Sequence, residues 1–311
     1  MEQILFKETL PGLAVEQVIR EQEFSMNTRH FHESYEVYFL LEGNRYYFID
    51  SDTYLVQEGM TVLVGRNQIH KTSMAGENSY HNRILLQLDA PVWDSQLKKC
   101  GLPPLEELFI RCEHVVKCKR EDFVKIAGLL DEIKREMREK RACFEAVVRM
   151  KIVEVLVLIY RNRREEMFIS LKEQREQKGQ KNKETASMPE SAARQYGSAA
   201  ARHKKVHEVA EYLQKHCETR ESLEEIGRRF FVSKSYLSRI FREVTGFSVN
   251  EYQTLARMRR AQELLTQTAL PITEVAEEVG FESITYFERV FKKYTDKRPL
   301  QYRKEYGRER I

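Results

Sequence analysis

Long apolar runs are missing from this 311-residue chain. The most apolar window, 152–160, already contains Glu154 and is far shorter than the ~20 residues a membrane helix needs. Nothing near the start resembles a signal peptide, since charges recur from Glu2 onward. The expectation is a cytoplasmic protein with no membrane partner. Cysteine is scarce as well: five, at positions 100, 112, 118, 143 and 217, an odd number without metal-site spacing. They read as reduced thiols, and no activating environment is visible around Cys112 and Cys118, the pair a redox switch would use. A large charge of one sign is also absent, because 52 Lys and Arg oppose 48 Asp and Glu for a net of +4. Net charge therefore says nothing of nucleic acid. What remains is 41% hydrophobic and 32% charged, a globular composition with length enough for two cores.

One pattern is written twice between Leu223 and Arg303. In the first copy Leu223, Ile226 and Phe230 lead into Tyr236, Leu237, Arg239, Ile240, Phe241 and Arg242. In the second, Ile272, Val275 and Val279 lead into Tyr286, Phe287, Arg289, Val290, Phe291 and Lys292. The offset is 49 residues for the leading set and 50 for the trailing set, so the second copy has one extra residue in its turn. Each copy predicts a short helix, a tight turn and a second helix. Ser222 with Glu225 reads as a capping box, the first helix ends near Phe231, and Ser233 caps the next. Apolar residues at three- and four-residue spacing, Leu237, Ile240, Phe241 and Val244, then Phe287, Val290, Phe291 and Tyr294, mark the inward faces. The outward faces carry Lys234, Ser235, Ser238, Arg239 and Arg242 in the first copy. In the second they carry Ile284, Thr285, Glu288, Arg289 and Lys292. Arg can pair with guanine edges in a major groove, and Ser and Thr reach bases or phosphates. Between the copies, Ser248 and Glu251 cap a third helix over 249–266, roughly 27 Å long at ~1.5 Å per residue. Such a rod can hold two reading helices in successive major-groove faces ~34 Å apart.

This stretch resembles the DNA-binding domain of the AraC family of bacterial transcription regulators. The resemblance rests on Ser235-Tyr-Leu-Ser-Arg-Ile-Phe-Arg-Glu-Val-Thr-Gly246 and on Ile272-Thr-Glu-Val-Ala-Glu-Glu-Val-Gly-Phe281, continued by Tyr286-Phe-Glu-Arg-Val-Phe-Lys-Lys293 and Pro299. Asp296 departs from the family, which usually has Gly there. The resemblance implies double-stranded promoter DNA as partner, a homodimer, and RNA polymerase as a further partner. Placement supports it where net charge does not. Residues 206–311 hold 19 Lys and Arg against 17 Asp and Glu, yet the basic side chains gather on the outward faces.

The first third is strand-like, with alternation at 13–19, 35–41, 46–49, 61–64 and 83–88. Turn signals at Glu42-Gly-Asn, Asp50-Ser-Asp, Glu58-Gly and Gly65-Arg-Asn separate the runs, which argues for a sandwich or barrel. His30-x-His32-x3-Glu36-x6-Gly43, followed by Gly59 and His70, is similar to the two motifs of the cupin family of jelly-roll barrels. Gly65 and Asn67 replace the usual Pro and Gly of the second motif, and Met74 stands where its closing Asn would be. Through that resemblance His30, His32, Glu36 and His70 occupy the positions of a divalent metal in metallo-cupins, where they would suit Fe, Mn, Ni or Zn. Three readings stay open: barrel-mouth residues bonded to one another and water, a metal-dependent cupin enzyme fused to a DNA-binding module, or a small-molecule site. In the last, His30, His32, Glu36, Tyr38, Arg45 and His70 offer the donors and acceptors that a sugar or sugar acid requires. That reading needs no resident cofactor, makes the protein a non-enzymatic sensor, and is the one adopted.

Helical periodicity takes over at 122–140, with Phe123, Ile126, Leu129, Leu130, Ile133 and Met137 on one face. It continues over 143–168, where Val148, Ile152, Val155, Leu156 and Ile159 align and neighbouring apolar residues require burial on more than one side. In related regulators such a pair forms the dimer contact. Residues 171–205 hold 9 basic against 4 acidic side chains without periodicity, a solvated spacer. The expected organisation is therefore an N-terminal all-β cupin-like jelly-roll barrel (1–118), a helical dimerisation segment (119–170), a flexible polar linker (171–202) and an all-α double helix-turn-helix domain (203–311).

Overall fold

The computed structural model describes residues 2–21, 34–75, 80–163 and 190–307, with backbone alone for 190–200. It divides into two compact units, Met1–Ala186 and Ser187–Ile311.

Eight strands build the first unit: β1 (Glu2–Leu10), β2 (Leu13–Arg20), β3 (Tyr35–Ile49), β4 (Asp52–Gln57), β5 (Met60–Val64), β6 (His70–Met74), β7 (His81–Leu88) and β8 (Val115–Lys117). Every pairing is antiparallel, in the order β1-β2-β7-β3-β5-β8, with β4 and β6 also paired to β3. Alternation finds β2, β5, β7 and both halves of β3 but misses β1, β4, β6 and β8, and β3 corrects the expectation of two strands parted by a turn at Glu42-Gly-Asn. It is one fifteen-residue strand. Gly43 has φ +91, and a Cβ there would lie 2.4 Å from the Tyr80 carbonyl oxygen. The glycine thus permits a close backbone approach beside a register shift at Leu40/Glu42. The first half of β3 pairs with β7 and β5, the second with β4 and β6. The other turn signals hold: Asp50 (φ 53) opens the β3–β4 hairpin, and Gly59 (φ 85) sits between β4 and β5.

Period-two alternation gives the sheet two faces. Tyr35, Val37, Phe39, Ile84, Leu86 and Leu88 pack against helices α1 (Ala90–Lys99), α2 (Leu105–Arg111), α3 (Arg120–Glu139) and α4 (Phe144–Asn162). Trp93 of α1 is fully buried, its indole N–H donating to the Gly12 carbonyl at 2.7 Å. Neither α1 nor α2 is foreseen in the stretch expected as barrel. α3 buries Ile126, Leu129, Leu130, Ile133 and Met137 as anticipated. α4 buries Val148, Ile152, Val155, Leu156, Leu158 and Ile159, more than one side; it ends at Asn162, and residues 164–168 of the expected helix lie outside the described ones. Lys134 of α3 is buried as well, donating to Gln17 on β2, whose amide in turn donates to Asn82 on β7 at 3.1 Å.

The second unit is helical: α5 (Glu190–Lys215), α6 (Leu223–Arg229), α7 (Lys234–Thr245), α8 (Val249–Gln267), α9 (Ile272–Glu278), α10 (Ile284–Thr295) and α11 (Pro299–Tyr306). α5 begins upstream of the expected start at His203, where Ala192, Ala193 and Ala199 to Ala201 supply helix propensity. Residues 171–189 of the expected linker lie outside the described ones. Both anticipated capping boxes, Ser222 with Glu225 and Ser248 with Glu251, are formed. α8 buries residues on several sides, among them Tyr252, Leu255, Met258, Ala261 and Leu265. Its C-terminal half packs with α9, α10 and α11 around Phe287, Phe291 and Tyr302.

Candidate nucleic-acid interface and buried polar cluster

The two candidate reading helices match in detail. α7 and α10 are each twelve residues long, and Ser233 and Ser283 cap them by accepting from the backbone N–H of Tyr236 and Tyr286, both at 3.3 Å. At the far ends Thr245 Oγ1 donates to the Phe241 carbonyl (2.7 Å) and accepts from Phe247 N (3.1 Å). Thr295 does the same with Phe291 (2.9 Å) and Lys297 (3.3 Å). Gly246 (φ 83) and Asp296 (φ 56) then turn the chain in the left-handed region.

All ten sequence-derived candidates are exposed: Lys234, Ser235, Ser238, Arg239 and Arg242 on α7, and Ile284, Thr285, Glu288, Arg289 and Lys292 on α10. The arginines are placed alike. Arg239 Cζ lies 5.4 Å from the Tyr236 ring centre and Arg289 Cζ 5.1 Å from that of Tyr286. A guanidinium over an aromatic face keeps its donors pointing outward while its stem is steadied. Tyr236 and Tyr286 are both part of the repeat, but only the structure reveals them as exposed supports. α8, nineteen residues long, spans roughly 28 Å at the standard rise. Other arginines hold the scaffold: Arg257 donates to the Cys217 and Thr219 carbonyls, and Arg303 to those of Leu265 and Leu270. Phe231, at φ 57 and 94% exposed, stands in the first turn where the second copy has Gly280 (φ 83).

In the sheet unit, the face opposite the helices carries Tyr38, Leu40, Tyr47, Ile49, Val56, Val62 and Val64. Glu36 shares it and is 3% exposed. Tyr47 donates to Glu36 Oε1 at 3.2 Å, and His70 Nε2 lies 3.6 Å from Glu36 Oε2. His70 Nδ1 sits 2.9 Å from the Gln68 carbonyl. Burial pulls the His70 pKa down, but the Glu36 carboxylate, the Gln68 carbonyl and Asp50 together raise it above the usual value. Burial, then Glu36, push the Tyr47 phenol well up. Tyr38 and Arg45 are buried on the same strand. Burial raises the pKa of the first and lowers that of the second. Of the six expected ligand residues, Glu36 and His70 are thus brought together, Tyr38 and Arg45 lie close by, and His30 and His32 lie outside the described residues. Among the described residues no three His, Cys, Asp or Glu side chains converge on a metal position. Cys112 and Cys118 are buried, and burial pushes both thiols up to about 12.

Two family models match this chain: an AraC-like ligand binding domain over residues 17–142 and a helix-turn-helix domain over 226–305. The chain is 34% identical to the multiple antibiotic resistance protein MarA of Escherichia coli over 98 residues, 32% of this chain and 77% of MarA. It is 41% identical over 81 residues to the Msm operon regulatory protein of Streptococcus mutans, 26% of this chain and 29% of that one. Two uncharacterized HTH-type regulators, YijO of Escherichia coli and YisR of Bacillus subtilis, are matched over 35% and 34% of their lengths. So the chain matches about a third of these three longer relatives. Among solved structures, the C-terminal domain of AraT from Geobacillus stearothermophilus is 37% identical, covering 34% of this chain and 89% of that one, with a TM-score of 0.33.

Proposed function

The chain belongs to the AraC family of transcription regulators, and on that premise we propose that it binds promoter DNA through α7 and α10 in response to a small polar molecule. The observation that carries the DNA reading is the equivalence of two capped twelve-residue helices, each offering an exposed Arg over a Tyr. α8 suits their spacing, since successive major-groove faces lie ~34 Å apart along the duplex. Arg239 and Arg289 read bases, Ser235, Ser238 and Thr285 reach bases or phosphates, Lys234, Arg242 and Lys292 neutralise backbone charge, Ile284 offers an apolar contact, and Glu288 accepts from a cytosine amine.

The buried cluster of Glu36, Tyr38, Arg45 and His70, with His30 and His32, takes the ligand, a sugar or sugar derivative. A lining of carboxylate, phenol, guanidinium and imidazole offers both donors and acceptors, and so do the hydroxyls of such a ligand. α3 and α4 pair two chains into a homodimer, RNA polymerase is the downstream partner, and the protein works in the cytoplasm. The DNA reading is tested by selecting an operator from random duplexes and measuring Arg239→Ala and Arg289→Ala on it and on unrelated DNA. Each should lose about 1–3 kcal/mol on the operator only and relax preference at one base pair. Equal loss on both DNAs would reassign the arginine to phosphate.

A further inference from the structure

The sheet interior holds a second group of polar side chains, beyond Glu36 and His70. Arg83 on β7 pairs in register with Val18 of β2 and Leu40 of β3, and Leu85 with Tyr38. That alternation brings Arg83 to Tyr38, its Cζ 6.0 Å from the ring centre. Arg83 is 7% exposed. Its Nη2 donates to Glu16 at 2.6 Å, while Nη1 is buried with no hydrogen-bond partner among the described residues. The Tyr38 hydroxyl, on a side chain 3% exposed, likewise has none. Arg45, fully buried, and Arg20, 8% exposed and paired with Glu2 at 3.0 Å, stand in the same neighbourhood, and both Arg20 and Arg83 act on Arg45 as like charges. Tyr38 meets Tyr47 edge to face at 5.2 Å, and Tyr47 donates to Glu36. A row of neighbouring side chains therefore runs from the Arg83 guanidinium through Tyr38 and Tyr47 to the Glu36–His70 pair.

A buried donor without an acceptor costs free energy, and two on one face of the sheet can share an acceptor. A neutral hydroxyl, with two lone pairs, could accept from both donors but would leave the clustered guanidinium charge without a counter-charge. An oxyanion satisfies both and offsets the repulsion, through charge-assisted bonds that are the strongest of their kind. We infer that the ligand is an organic acid bearing hydroxyls, its carboxylate or phosphate seated on Tyr38 Oη and Arg83 Nη1 and its hydroxyls directed toward Glu36 and His70. This rests on the sensor reading above and narrows its ligand class. Arg83 becomes a specificity-determining residue.

The test uses the full chain and six probes at constant ionic strength: glucuronate, galacturonate, gluconate, glucose 6-phosphate, glucose and galactose. Thermal stability and calorimetric Kd are measured for the native protein, Tyr38→Phe and Arg83→Gln. At least one acid should raise Tm with concentration while its neutral parent does not. Preference for the phosphate ester over the carboxylates would identify the oxyanion as phosphate. Tyr38→Phe removes only an unpartnered hydroxyl. The unliganded variant should keep its Tm or gain, while Kd for the acid rises ten-fold or more. This holds the inference open to refutation even where Arg83→Gln, which also leaves Glu16 with Lys7 as its remaining ion-pair partner, fails to fold. Stabilisation by neutral sugars equal to that by their acids overturns the inference, as does a set of acids that all leave Tm unchanged. An acid whose Kd is indifferent to Tyr38→Phe overturns it too. The sensor reading fails separately, when no probe alters operator affinity, and survives if a neutral sugar does so.

Discussion

Replacing Glu36 by Gln removes one charge from a buried network and keeps its shape. The amide oxygen can still accept from Tyr47, so the 3.2 Å bond survives as a neutral one. His70 loses the carboxylate 3.6 Å from its Nε2. That separation is too long for a strong hydrogen bond, so the cost should sit below the ~3–5 kcal/mol of a broken buried pair and above the ~1 kcal/mol of one neutral bond. About 2 kcal/mol follows, or about 4–8 °C in a unit of this size. The dependence on pH is the sharper signature. In the native protein the raised His70 pKa contributes stability that is complete below the unfolded value of ~6.5 and is lost as pH rises through the folded value. Without Glu36, burial is the largest remaining influence and lowers the folded pKa. The His70 contribution then reverses: stability falls as pH drops below ~6.5. The single tryptophan, Trp93, is buried in the sheet unit, so selectively excited tryptophan fluorescence follows that unit alone during urea unfolding on either side of the unfolded His value of ~6.5. Parallel stability profiles for native and variant protein would refute the account of His70.

Two further outcomes are expected. Asp296 holds φ 56 at the place where the first copy has Gly246, and Asp296→Gly should stabilise the helical unit by about 0.5–1 kcal/mol, read from the helical circular dichroism melt; a loss would mean that the carboxylate holds a contact of its own. Of the five cysteines, Cys100 and Cys143 are exposed and Cys112, Cys118 and Cys217 buried. A thiol reagent should therefore titrate two groups in the native protein and five after unfolding, and fast reaction of Cys112 or Cys118 would revive a redox switch.

Local signals were legible and pairing was not. Capping boxes and reading faces depend on residues three and four apart, so Ser222, Ser248 and the outward arginines declare themselves in the sequence. Gly43 misleads because glycine marks a positive φ without saying whether a turn or a bulge requires it; the deciding neighbour, Tyr80, is remote in the chain. Arg83 reads as an ordinary strand residue for the same reason. Only the register of β7 against β2 and β3 carries it beside Tyr38. The helices at 90–111 escaped notice because their apolar stripes are short, Trp93 and Leu97, then Leu105, Leu108 and Phe109.

The buried Lys134 gives α3 a mechanical character. Its ammonium is held by Gln17, which holds Asn82, and Asn82 is the strand neighbour of Arg83, with its side chain on the other face of β7. Asp131, on the same helix and 2.7 Å from that ammonium, would travel with it. A slide of α3 by one helical turn, ~5.4 Å, would keep the ion pair and break the bond to Gln17, at a cost of about 1–3 kcal/mol. The helix therefore sits in a notch. Motion of α3 against the sheet would be stepwise, a bond broken at Gln17 and remade, rather than a drift over a smooth apolar face.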